Sequence, residues 1–160
     1  MKTMLILGND RIAKNAINEF SQINSIITII DKSTSLKRLF KLLLNRKLKL
    51  SLIIKMIHCE YKREPKRLGS NEYLSIRNNK DLLRIINETQ PNKIILFRAG
   101  LIINNSIINT KVPLMNIHCA RVPEYGGIGS IYRALKNKDI NQCATLHQVT
   151  ETIDKGKVYD

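Results

Sequence analysis

The chain has 160 residues, 43% of them hydrophobic, with only 7 glycines and 4 prolines. That composition excludes a disordered or low-complexity chain and suits one folded domain with a real core. The formal net charge of +14 marks the protein as one that attracts phosphates, whether on nucleotides, nucleic acid or anionic lipid.

Cys59, Cys119 and Cys143 are odd in number and lack metal-ligand spacing, so reduced thiols in a cytoplasmic protein are expected, with no disulfide frame and no zinc site. The apolar run after Met1 is cut off by Asn9-Asp10-Arg11 and makes a poor signal peptide. No window approaches the roughly 18 apolar residues of a membrane span.

Thr3 to Leu7 reads as a strand ending in Gly8-Asn9-Asp10, and Asp10 can cap a helix to about Ser21. Ile12, Ala16, Ile17 and Phe20 form its expected buried face. Ser25 to Ile30 is the second strand, completing a βαβ unit with parallel strands. The turn Gly8-Asn9-Asp10 lacks a G-x-G-x-x-G fingerprint. It is either an ordinary βα turn or one whose backbone N–H groups, with the helix N-terminus, receive an acceptor phosphate.

The segment from about 35 to 67 is rich in leucine and isoleucine. Between Lys37 and Arg67 it carries eleven Lys or Arg against only Glu60 and Glu64. Two short helices broken at Asn45-Arg46-Lys47 are expected. The cations form a solvated face, a lid for a nucleotide diphosphate, or a surface for anionic membrane or RNA. Few aromatics (Phe40, Tyr61) argue against single-strand stacking, so no specific nucleic acid is expected.

The βαβ pattern then resumes, with a strand over Tyr73 to Ile76, a helix over Asn79 to Thr89 and a strand over Lys93 to Phe97. Arg98-Ala99-Gly100 makes a turn, Leu101 to Ile108 a short helix, Leu114 to His118 a strand, Gly129 to Asn137 a helix and Ala144 to Val149 a last strand. The fold class that follows is α/β, an open and mostly parallel sheet with helices on both faces. Its ligand crevice lies beyond the carboxyl ends of the strands. Gly8-Asn9, Ala99-Gly100, Asn116 and His118 all fall at that edge.

Asn116 and His118, two apart on one strand, aim an amide and an imidazole at the same point. Alone, the pair also fits a buried histidine satisfied by backbone. Pro123-Glu124-Tyr125-Gly126-Gly127 follows as a rigid turn with glycines, and Asp154 sits in Ile153-Asp154-Lys155-Gly156 after the next strand. Asp154 is either a turn residue or a carboxylate within reach of the imidazole. An amide, an imidazole and a carboxylate together can hold an oxyanion and manage one proton during acyl transfer.

Residues 115 to 158 resemble the catalytic region of the formyltetrahydrofolate-dependent formyltransferases. Nine positions agree in order and spacing: Asn116 and His118, Pro123, Tyr125 and Gly127, Thr145 and His147, Asp154 and Gly156. The resemblance implies a Rossmann-like catalytic domain and N10-formyltetrahydrofolate as formyl donor. It assigns Asn116, His118 and Asp154 as catalytic, and His147 as a residue that orders its strand and loop. The donor would lie on Ala99, Gly100, Leu101, Ile102, Ile153 and Asp154, and the acceptor on Gly8, Asn9, Tyr125 and Gly127.

An amino-sugar nucleotide is the expected acceptor. Glycinamide ribonucleotide, methionyl-tRNA, hydrolysis of the donor and a non-catalytic nucleotide-binding remnant are the alternatives. Helical insertions like 35–67 are more similar to formyltransferases of surface-polysaccharide pathways than to the purine enzyme. The sequence departs from the family at Gly126, where many relatives carry arginine. It also ends at Asp160, straight after the Asp154 loop. The expectation is one catalytic domain over 1–160 without the family's downstream region.

Overall fold

A computed structural model describes residues 2–20, 22–33 and 73–159, with scattered helical positions at 44, 50, 51, 53–55 and 58. The expected helix pair of the basic segment, with its break at Asn45-Arg46-Lys47, lies outside the described residues. Seven strands form one sheet: β1 (Thr3–Gly8), β2 (Ile26–Asp31), β3 (Leu74–Ile76), β4 (Lys93–Phe97), β5 (Leu114–His118), β6 (Thr145–Gln148) and β7 (Val158–Tyr159). Four described helices accompany them: α1 (Arg11–Phe20), α2 (Asn79–Thr89), α3 (Asn105–Ile108) and α4 (Ser130–Lys136).

The spatial order is β3-β2-β1-β4-β5-β6-β7. The first five strands in that order pair in parallel, whereas β6 and β7 run antiparallel. The chain builds outward from β1 in one direction and then, through β4, in the other. The point of reversal between β1 and β4 is where such sheets open a crevice.

Alternation along β1 sends side chains to two cores. Met4 and Ile6 join Ile29, Ile85, Ile94 and Leu114 on one face. Leu5 and Leu7 join Ala13, Ile17 and Ile30 on the other. At 0% exposure for Met4, Ile6 and Leu7, each side chain contributes about 1.5–3 kcal/mol by leaving water. The near-continuous apolar run of β1 is what a strand covered on both faces requires.

Helix ends follow local chemistry. Asp10 Oδ1 accepts from the Ala13 N–H at 3.0 Å and starts α1. Its buried residues are Ala13 and Ile17, while Ile12 is 43% and Phe20 38% exposed, so the expected apolar face is rotated toward Ala13. Asn78 Oδ1 accepts from Asp81 N–H at 3.0 Å, and Gln90 closes α2 in the left-handed region at φ 48° just before Pro91.

The expected helix from Leu101 begins only at Asn105. Asn79 straps residues 102–104 in an irregular path, donating to Ile102 O at 2.9 Å and accepting from Asn104 N–H at 3.2 Å. Likewise α4 starts at Ser130 rather than Gly129 and ends at Lys136. The two-residue strand β7 was not expected from the sequence.

Asp31, at the end of β2 and 1% exposed, is the buried carboxylate of this frame. Its Oδ2 accepts from Gly100 N–H at 2.6 Å and Leu101 N–H at 2.7 Å, and its Oδ1 from Ser33 N–H at 2.7 Å. Three N–H donors to one carboxylate stabilise charge inside the fold and fix the loop after β4. Asp31→Ala strands these donors, so equilibrium denaturation should show a loss of about 2–4 kcal/mol. A loss within experimental error would mean that water replaces the carboxylate.

Candidate active site

Register decides the geometry. Asn116 on β5 lies directly opposite His147 on β6, and His118 opposite Thr145. Asn116, His118 and His147 therefore share one sheet face. Because β6 is antiparallel to β5, the loop after it leaves from the end of β5 remote from His118. Reaching the imidazole requires that loop to fold back across the same face, and it does so. His118 Nδ1 lies 3.5 Å from Asp154 Oδ2, and His147 Nε2 lies 3.4 Å from Asp154 Oδ1.

Each partner is otherwise well held. His118 Nε2 lies 3.0 Å from Tyr125 O. A carbonyl can only accept, so Nε2 carries a proton. A second proton on Nδ1 would turn the Asp154 contact into an ion pair. His147 Nδ1 lies 2.9 Å from Gln148 O and carries a proton for the same reason. With the ring neutral, its Nε2 accepts from Asn116 Nδ2 at 3.1 Å, leaving the second hydrogen of that amide for a ligand oxygen, and the approach to Asp154 Oδ1 is then proximity without a hydrogen bond. Asp154 Oδ2 accepts from Gly127 N–H at 2.6 Å, while Asp154 itself adopts φ 53°, a region that aspartate tolerates better than most residues.

The sequence assigned His147 only an ordering role. The structure places it, 1% exposed, in contact with both Asn116 and Asp154. The i,i+2 spacing from Thr145 was the available signal. Thr145 is itself an anchor: its hydroxyl donates to Ala120 O at 2.8 Å and accepts from Val122 N–H at 3.3 Å. That pins the turn after β5, which contains a cis Val122-Pro123 bond.

Gly156 returns the Asp154 loop to the sheet. A Cβ there would meet Gln148 O at 1.9 Å, so the family's Asp-x-Gly spacing has a packing cause here. Gly126 brings no side chain to the turn. The guanidinium that reaches it belongs to Arg133 of α4, donating to Tyr125 O at 3.2 Å and to Gly126 O.

A second polar group occupies the reversal point. Arg98 Nε donates to Asp10 Oδ2 at 2.6 Å and Nη1 lies 3.8 Å from Cys119 Sγ, linking the ends of β4, β1 and β5. Burial opposes the Arg98 charge, but the hydrogen bond and charge of Asp10, with help from Cys119, raise its pKa above the ordinary arginine value.

Gly8 is buried, and a Cβ there would sit 2.2 Å from Arg98 O. Glycine at this position thus has a packing reason of its own, apart from the expected acceptor role, and Asn9 is the exposed residue of that turn. At the expected donor loop, Gly100 and Leu101 turn their N–H groups inward to Asp31. Ala99 and Leu101 pack on the core, while Ile102 is 50% and Ile153 59% exposed.

A separate shallow surface depression, with no enclosed space for a water molecule, is lined by Ala120, Tyr125, Ala134 and Cys143 among others. It shares Tyr125 with the cluster but includes none of Asn116, His118 and Asp154. Among the described residues, no group of His, Cys, Asp and Glu is arranged to hold a metal ion. No described helix is long and apolar enough to cross a membrane.

A doubly wound sheet with an Asn–His–Asp cluster beside its C-terminal edge defines an α/β protein suited to group transfer. The family model described as "Formyl transferase" matches residues 12–159, and the chain belongs to that family. In sequence it is 29% identical over 85 residues to methionyl-tRNA formyltransferase of Sulfurihydrogenibium sp., covering 52% of this chain and 27% of the relative. The match therefore spans about a quarter of that relative's length.

Among solved structures, phosphoribosylglycinamide formyltransferase of Anaplasma phagocytophilum superposes with TM-score 0.63 at 12% identity, over 99% of this chain and 69% of that one. A Mycobacterium tuberculosis protein proposed to be a sugar N-formyltransferase gives 0.62 at 13%, over 99% and 52%. A formyltetrahydrofolate deformylase of Pseudomonas syringae gives 0.62 at 14%, over 100% and 49%. At these identities the likeness is one of fold.

Thr145→Val keeps shape and strand preference but orphans Val122 N–H and Ala120 O. Chemical denaturation should report a loss of about 1–3 kcal/mol, with Thr145→Ser close to wild type. A loss within experimental error in Thr145→Val would show that the hydroxyl does not hold the turn.

Proposed function

We propose that the chain transfers a formyl group from N10-formyltetrahydrofolate to the primary amine of a small phosphorylated acceptor, an amino-sugar nucleotide, in the cytoplasm. The observation that carries this reading is the contact of Asp154 with His118, Gly127 N–H and His147 on the face that bears Asn116. Family membership supplies the reaction class.

In the reaction, the acceptor nitrogen attacks the formyl carbon, and the carbonyl oxygen becomes an oxyanion. The Asn116 amide hydrogen that His147 leaves free donates to it, beside His118 held between Tyr125 O and Asp154. Asp154, 3.5 Å from His118 Nδ1, orients the imidazole. A water held by the carboxylate carries the proton from the attacking amine to the departing N10 nitrogen as the carbon–nitrogen bond breaks. Nothing is oxidised or reduced, and the products are the formamide and tetrahydrofolate. Gly8-Asn9 and the start of α1, next to cationic Arg98, support a phosphate at the acceptor end.

The test is an ultraviolet assay of donor consumption with aminodeoxy-sugar nucleotides, glycinamide ribonucleotide, methionyl-tRNA and plain water. Turnover with a sugar nucleotide and a fall of about 100-fold or more in Asp154→Asn are expected. Asparagine keeps an oxygen for Gly127 N–H and tolerates φ 53°, so the variant isolates the charge. Consumption no faster than in Asp154→Asn with every acceptor would refute transfer. Turnover in water alone would assign hydrolysis.

A further inference from the structure

The turn from Tyr125 to Gly127 is the hub of the cluster. Tyr125 O receives the His118 Nε2–H at 3.0 Å, and Gly127 N–H reaches Asp154 Oδ2 at 2.6 Å. Both partners of the imidazole are thus set by one short peptide stretch. Two of its three residues are glycines, one of them at φ 83°, so the sequence itself restrains that stretch weakly.

The turn has its own backbone bonds, Tyr125 N–H to Arg121 O at 2.9 Å and Gly126 N–H to Pro123 O at 3.2 Å, and a further restraint on its carbonyls comes from outside. Arg133 is on the exposed side of α4, yet its Nη2 donates back to Tyr125 O at 3.2 Å and to Gly126 O. One guanidinium nitrogen therefore holds two successive carbonyls, and the first is the oxygen that orients His118. Helix α4 is itself seated through buried Ser130 and Ala134, so the clamp is anchored to the fold. A planar guanidinium suits two carbonyls at once, and a lysine ammonium, as a point donor, suits one better than two.

We propose that Arg133 is a positioning residue that fixes the ring orientation of His118 and the Asp154–Gly127 contact by clamping the Tyr125-Gly126 peptides. In this role it acts through the turn rather than on donor or acceptor. Its kinetic consequence rests on the formyl-transfer reading, whereas its structural consequence does not.

The experiment compares wild type with Arg133→Met and Arg133→Lys, using the full chain labelled with 15N. Long-range imidazole spectra of the wild type should show the His118 proton fixed on Nε2, and Arg133→Met should show averaged tautomers. Exchange of the Gly127 amide should accelerate by about tenfold or more in Arg133→Met while the melting transition stays in place. Arg133→Lys should fall between the two. In turnover, kcat should drop about tenfold or more, with KM for the donor within about twofold.

Unchanged His118 spectra and unchanged Gly127 exchange in both variants would overturn the proposal. So would a loss confined to KM. If the wild type transfers no formyl group, the spectra still decide the role of Arg133, and the failure belongs to the reaction assignment alone. If Arg133→Met does not fold, the Arg133→Lys spectra decide: wild-type tautomer and exchange there refute the two-carbonyl clamp.

Discussion

The reach of Asp154 across the sheet is the contact on which the rest of the site depends. A short loop leaves β6 at the end away from His118, doubles back over β5 and β6, and sets one carboxylate against two imidazoles and a backbone N–H. Had β6 continued the parallel pattern of its neighbours, its following loop would have begun at the His118 end, with no need to recross the sheet face. The antiparallel turn and the narrow space at Gly156 are therefore parts of one device. Close backbone packing against Gln148 holds the return path, and the carboxylate sits at its crest.

A second set of constraints acts at the reversal point of the sheet. Asp31 and Arg98 divide the loop after β4 between them. One is a buried anion that draws the Gly100 and Leu101 N–H groups inward, and the other a cation that bridges Asp10 and the thiol after β5. These are polar groups in a region of reduced solvent, where partnered charges position neighbours firmly and unpartnered ones would be costly. They tie the crevice loops to the sheet without engaging Asn116 or His118. Stability of the frame and chemistry of the cluster are thus carried by different residues.

How much of this could be read in advance depended on whether the signal was local. The bounds of α2, β4 and β5 were legible because an asparagine cap, a proline and uninterrupted apolar runs mark them. The Asn–His–Asp set was legible as spacing, although spacing cannot say that the carboxylate arrives by recrossing the sheet. Ile12 and Phe20 were misplaced because α1 turns Ala13 and Ile17 inward, and small residues give a weak periodic signal. The late start of α3 depends on Asn79, 25 residues from its partner Asn104. Asp31, Arg98 and Arg133 were invisible for the same reason: each acts on residues chosen by the fold rather than by chain neighbourhood.

Glycine and charge resolve a tension within the cluster. The turn after β5 must bring backbone close to a carboxylate and an imidazole, which favours residues without side chains. Such residues lose the most conformational freedom on folding. At Gly126 a Cβ would crowd that of Asp154 at 3.2 Å, whereas at Gly127 it is the φ of 83°, not lack of space, that favours glycine. The turn's own backbone bonds from Tyr125 and Gly126 are supplemented by hydrogen bonds from side chains to its peptide groups. His118, Asp154, Thr145 and Arg133 each supply one or more of them. The groups that orient the chemistry and the groups that order the turn are largely the same, so loosening the turn and misaligning the imidazole are one event.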